Sequence, residues 1–89
     1  MKLTKANVSR TLKAAGHAQG RGEQDGFTLS GGYLGTTVIV RGYYPASDPT
    51  PDERDAHCQA WAAALAPHFV VERKPSRLLV TEREREDGG

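Results

Sequence analysis

The sequence predicts an α+β domain in which two helices pack as one layer on one face of a small, mainly antiparallel sheet, in the order α-β-β-α-β-β. Three observations predict it. Two segments place apolar residues at helical spacing between recognisable start and stop residues. Two other regions alternate apolar with polar residues and are rich in β-branched and aromatic side chains. Glycine and proline clusters separate these regions.

The first helix is expected over Leu3 to Ala15, capped by Thr4, with Leu3 and Val8 closing a hydrophobic staple and Gly16 ending it. Val8, Leu12 and Ala15 form its narrow apolar stripe, with Ser9, Arg10 and Lys13 around the other side. Residues 16–26 hold four glycines and no large apolar side chain, so a mobile loop is expected there. Phe27 and Leu29 alternate with Thr28 and Ser30 in a first strand, and Gly31-Gly32 suits a two-residue hairpin turn. In the following strand Val38 and Val40 share one face, while Thr37, Ile39, Arg41 and Tyr43 share the other. Gly35 and Gly42 mark bulges or a strand end.

The second helix is the most clearly signalled element. Thr50 caps it, Pro51 occupies the first position and Glu53 completes a capping box, while Asp52, Glu53 and Asp55 suit its positive end. It runs to about Ala66 before Pro67, with Cys58, Ala60, Trp61, Ala64 and Leu65 on its apolar arc and His57 in the middle. Residues 68–74 and 77–83 then read as two strands around the Pro75-Ser76 turn. No internal repeat is evident, and the strand order stays open.

Eighty-nine residues make one domain, taken as 1–83 with a charged and glycine tail at 84–89. Twenty large apolar residues supply the core. A single cysteine, Cys58, allows no internal disulfide and suits a reducing compartment. No apolar run has signal-peptide or membrane-spanning length, so a cytoplasmic location without membrane contact is expected. The net charge of +1 hides an asymmetry: residues 1–45 carry six basic and two acidic side chains, residues 46–89 six basic and nine acidic.

Catalytic and metal signatures are missing from the sequence. His17, His57, Cys58 and His68 have no zinc-ligand spacing, and no serine lies in a nucleophile motif. The glycine-rich stretches match neither phosphate-binding nor dinucleotide-binding loops. No catalytic residue, metal or cofactor is therefore expected, and a non-enzymatic role follows. His57 is expected to be a partly buried histidine hydrogen-bonded to the sheet or a loop. The leading expectation is an accessory protein that binds another protein, or a second copy of itself, on the free sheet face near Ile39, Arg41, Tyr43 and Tyr44. The alternative is nucleic-acid binding by Lys5, Arg10 and Lys13 on the first helix, with Tyr33, Tyr43 or Tyr44 stacking bases.

Two resemblances add to this. The stretch LTKANVSRTLKAAGH, together with WAAALAPHFVVERKPSRLLVTER, resembles a group of small proteins of actinobacteria and their phages. The shared features are the Ala-Ala-Gly-His helix end, the Trp61-x-x-x-Leu65 helix and the Phe-x-Val-Glu and Leu-Leu-Val-Thr strands. The match covers about half the chain and implies the element order and such an origin, not a function. The terminal Gly88-Gly89 is similar to the tail of ubiquitin-like carriers, which implies acyl activation at Gly89. The additional first helix and the acidic residues Glu84, Glu86 and Asp87 depart from that family.

Overall fold

The computed structural model describes residues 2–32 and 36–83. Helix α1 (Lys5–Ala14) precedes strands β1 (Gly26–Gly31) and β2 (Val38–Tyr43). Helix α2 (Pro51–Leu65) then leads to β3 (Phe69–Lys74) and β4 (Arg77–Glu82). The α-β-β-α-β-β order is as the sequence predicts. All strand pairs are antiparallel, in the spatial order β1-β2-β4-β3.

Local chemistry sets both helices. The Thr4 hydroxyl accepts from the Asn7 amide at 3.0 Å, and buried Leu3 lies before this cap. At the other end, the Gly16 amide donates to Lys13 and the His17 amide to Leu12, both at 3.0 Å, with Gly16 at φ 91°. That bond pair is a Schellman motif, and its left-handed residue favours glycine. In α2 the Thr50 and Glu53 side chains and amides satisfy each other reciprocally in a capping box.

Val8 and Leu12 from α1 and Cys58, Trp61 and Leu65 from α2 are buried against one face of the sheet. That face supplies Phe27, Val38, Val40, Phe69, Leu78 and Val80. Ala15 and Ala60, expected on the apolar arcs, are exposed. Ala15 is the helix cap, and the buried α2 stripe runs through Cys58, Trp61, Ala62 and Leu65, turning Ala60 outward.

The chain runs as two successive α-β-β units, and the registers of its four strands are related by a pseudo-two-fold axis that the sequence does not display. The paired registers superpose Val38 and Val40 on Leu78 and Val80, and Phe27 on Phe69. Val8 and Leu12 likewise answer to Trp61 and Leu65 at the same four-residue spacing. The axis passes through the Ile39–Leu79 pair at the middle of the sheet.

Two expectations need correction here. Gly31-Gly32 does not form a two-residue turn: Gly31 pairs with Val38, and the Gly32 amide still donates to Thr37. The two glycines are therefore not the turn, and Tyr33 to Gly35 lie outside the described residues. Nor are residues 16–26 unanchored. The Gly20 amide donates to the Phe27 carbonyl at 2.8 Å and the Phe27 amide to Ala18 at 3.1 Å, so this segment lies along the outer edge of β1. Backbone bonds, together with the Asp25 carboxylate, anchor a segment that has no large apolar side chain.

Candidate sheet-face interaction site

Side chains alternate along strands, so each buried residue of the sheet has outward-facing neighbours. Ile39, Arg41 and Tyr43 of β2, Arg77 and Leu79 of β4, and Val70, Glu72 and Lys74 of β3 share the face away from the helices. None of the described elements covers it. Ile39 and Leu79 stand directly opposite each other and are half-buried, while Val70 is 48% exposed.

Directly beside the Ile39–Leu79 pair runs a row of cations. Arg41 pairs with Arg77, and Arg77 pairs in turn with Lys74, so three positive side chains occupy successive strands of one cross-strand row. All three are exposed. Lys74 has an ion pair with Glu72 at 3.0 Å, whereas Arg41 and Arg77 have none among the described residues. Like charges directly opposite one another destabilise a sheet, by up to about 1 kcal/mol per pair. The row therefore works against the folded state of the free protein.

Tyr43 is on this face, and its hydroxyl has a partner. Its hydroxyl donates to the Gly22 carbonyl at 2.6 Å, which ties the 16–26 segment over the end of β2. Tyr44, grouped with the free face from sequence, lies on the helix side instead. Its ring covers Gly42 so closely that no Cβ would fit there, and its hydroxyl is hydrogen-bonded to His57 Nδ1 at 2.9 Å. Gly42 itself pairs regularly with Phe27 and is no bulge. The Arg54 guanidinium sits over the Tyr44 ring at 5.5 Å, and burial pushes the Tyr44 hydroxyl pKa up. His57 is hydrogen-bonded as expected, but it is exposed rather than partly buried.

The nucleic-acid candidates on α1 are exposed but do not converge on one feature. Arg10 borders a shallow hollow with Ala64 and His68, Lys13 borders another with His17 and Gln24, and Lys5 lies near Gly32. The carrier-tail candidates Gly88 and Gly89 lie outside the described residues.

Two other features are structural in character. Asp25 accepts from the Ala46 amide at 2.9 Å and from the Ser47 hydroxyl, joining the two long loops. The Ser47 bond, then the Ala46 bond, hold its carboxyl below the usual range. A hollow of about 620 Å3 lies between the start of α2 and the β3–β4 turn, over Cys58. Its charged neighbours Arg54 and Asp55 are paired with Asp48 and Arg73. Burial raises the Cys58 thiol pKa, which suits a core residue rather than a nucleophile.

Among the described residues no group of three or more His, Cys, Asp or Glu side chains could hold a metal ion. No described helix is long and apolar enough to cross a membrane. Arg77, Lys74 and Leu79 are the site residues that sequence reasoning missed. The alternation of Arg77, Leu79 and Thr81 with buried Leu78 and Val80 signals their outward direction, but only the β2–β4 register places them beside Arg41. Comparison with known proteins found no matching family model, no matching curated protein and no matching solved structure.

Proposed function

We propose that this chain is a non-enzymatic accessory protein that binds another protein through the outer face of its sheet. The carrying observation is the Ile39–Leu79 pair beside the cation row Arg41–Arg77–Lys74. An apolar pair beside two cations, Arg41 and Arg77, that have no ion pair among the described residues supports a contact surface for a partner. Single-stranded nucleic acid is less well served, because base stacking needs free aromatic faces. Among the described residues the aromatic side chain of this face is Tyr43, whose hydroxyl is held by Gly22 and whose same-face neighbour along β2 is Arg41. The dispersed cations of α1 likewise give less support to a phosphate-tracking helix.

Site-specific photocrosslinking in the protein's native cells tests this reading. A crosslinker at Leu79 is expected to trap a discrete, nuclease-resistant protein adduct, whereas one at exposed Ala63 on α2 is not. Equal adducts from both positions, no adduct, or nuclease-sensitive adducts would overturn it. A Leu79 adduct of twice the chain mass would identify the partner as a second copy.

A further inference from the structure

We infer that the partner element is an acidic amphipathic helix lying across the strands, with its carboxylates over the Arg41–Arg77–Lys74 row and its apolar stripe over Ile39 and Leu79. The inference rests on the proposed sheet-face function and specifies its occupant.

Spacing decides between partner conformations. Neighbouring strands are about 4.8 Å apart, so three cations on β2, β4 and β3 span about 10 Å at the backbone. Carboxylates at i, i+4 and i+7 of a helix span about 10.5 Å along its axis, nearly in step with the row. An extended segment laid along the row would place same-face residues about 6.7 Å apart and fall out of step by the third.

The second row fixes the other half of the match. Ile39 and Leu79 lie two residues along their strands from Arg41 and Arg77, about 7 Å away on the same face. A helix of about 10 Å diameter can rest one stripe on each row. The face is also asymmetric. Beyond the apolar pair come uncharged Thr81 and Val70, which are register neighbours, so the acidic stripe has one favoured side. Glu72, the β3 neighbour of Leu79, pairs with Lys74, so the apolar row is two residues wide, and Lys74 joins Arg41 and Arg77 when an incoming carboxylate takes the place of Glu72.

The row makes a further claim that a purely structural role would not. Replacing Arg77 by Glu converts two like-charge cross-strand pairs into opposite-charge pairs. It should raise the Tm of the free protein by about 2–8 °C while weakening the partner. Stability and binding should move in opposite directions.

The test uses the purified full chain and a synthetic helical peptide of roughly 20 residues. The peptide carries a Glu stripe at i, i+4 and i+7 beside a Leu stripe. The comparators are a scrambled peptide of identical composition and a single-stranded oligo-dT. Fluorescence anisotropy is expected to show the patterned peptide binding at least tenfold more tightly than the scrambled one. That affinity should fall at least tenfold in Arg41→Glu/Arg77→Glu, fall with added salt, and stay unchanged in Arg10→Glu. Arg41→Gln/Arg77→Gln, with circular dichroism on every variant, separates lost binding from lost fold.

Equal affinity for patterned and scrambled peptides would overturn the helical match. Failure of both peptides while Leu79 crosslinks to a protein would overturn this inference alone. Failure of both peptides with no such crosslink would remove the sheet-face reading as well. Preference for oligo-dT, lost in the double variant, would replace the protein helix by nucleic acid.

Discussion

The ring of Tyr44 over Gly42 gives a quantitative handle on which tyrosine belongs to the core. In Gly42→Ala the new methyl group points to the helix side and enters the space of the Tyr44 ring, so the ring must leave. Its departure breaks the hydrogen bond to His57, about 0.5–1.5 kcal/mol, and the Arg54–ring contact, about 0.5–1 kcal/mol. Replacing glycine within a strand returns about 0.5–1 kcal/mol. The net expectation is a loss of about 0.5–1.5 kcal/mol, or a Tm lower by about 2–12 °C. With Tyr44→Ala already present there is no ring to displace, and Gly42→Ala should stabilise by about 0.5–1 kcal/mol. Urea unfolding followed by circular dichroism on the four proteins reads the coupling, expected near 1–2.5 kcal/mol by the costs above. A coupling under about 0.5 kcal/mol would show that Tyr44 does not rest on Gly42, and would return it to the list of free surface aromatics.

Three other outcomes follow from the loops and turns. Tyr43→Phe removes the bond to Gly22 and should cost about 0.5–1.5 kcal/mol in urea unfolding, while hydrogen exchange at the Gly20 amide quickens; unchanged exchange would sink the idea that this hydroxyl holds the loop. Ser76 sits at φ 64° in the β3–β4 turn, so Ser76→Gly should raise stability by about 0.5–1 kcal/mol in the same assay, and a loss would contradict the strain assigned to it. The Asp25 carboxyl is held below its unfolded pKa, chiefly by Ser47, so its contribution is present above that unfolded value and is lost as pH falls through the folded one. Acid titration of Ser47→Ala should therefore show a shallower loss of stability at low pH than the parent chain, and identical profiles would rule out the clamp as a source of acid sensitivity.

Much of the fold was legible because its signals are local. Thr4, Gly16, Thr50, Pro51 and Glu53 act within one turn of the helix ends they set, and the alternation around Val38–Val40 and Leu78–Val80 is visible residue by residue. The strand order was not legible, since β2 meets β4 only after α2 and β3 have intervened. For the same reason Arg77 and Lys74 could not be joined to Arg41 from the sequence. The anchored 16–26 segment was not legible because its bonds to β1 run through backbone groups that every residue possesses. Tyr44 was readable in principle: it shares parity with Val38, Val40 and Gly42, and so goes to the helix side.

The pseudo-two-fold arrangement has a consequence for how the chain can be divided. Each α-β-β unit brings its own helix, hairpin and half of the buried side chains, and the seam between the hairpins is a ladder of four residue pairs from Val38–Val80 to Arg41–Arg77. The connection after Tyr44 crosses that seam with no strand or helix of its own before Thr50. A chain opened there yields two fragments of similar build, neither able to cover its apolar face alone, each carrying the complementary edge that the other requires. Fragment reassembly would bring Arg41 from one piece beside Arg77 from the other, so the cation row would exist only in the rejoined protein.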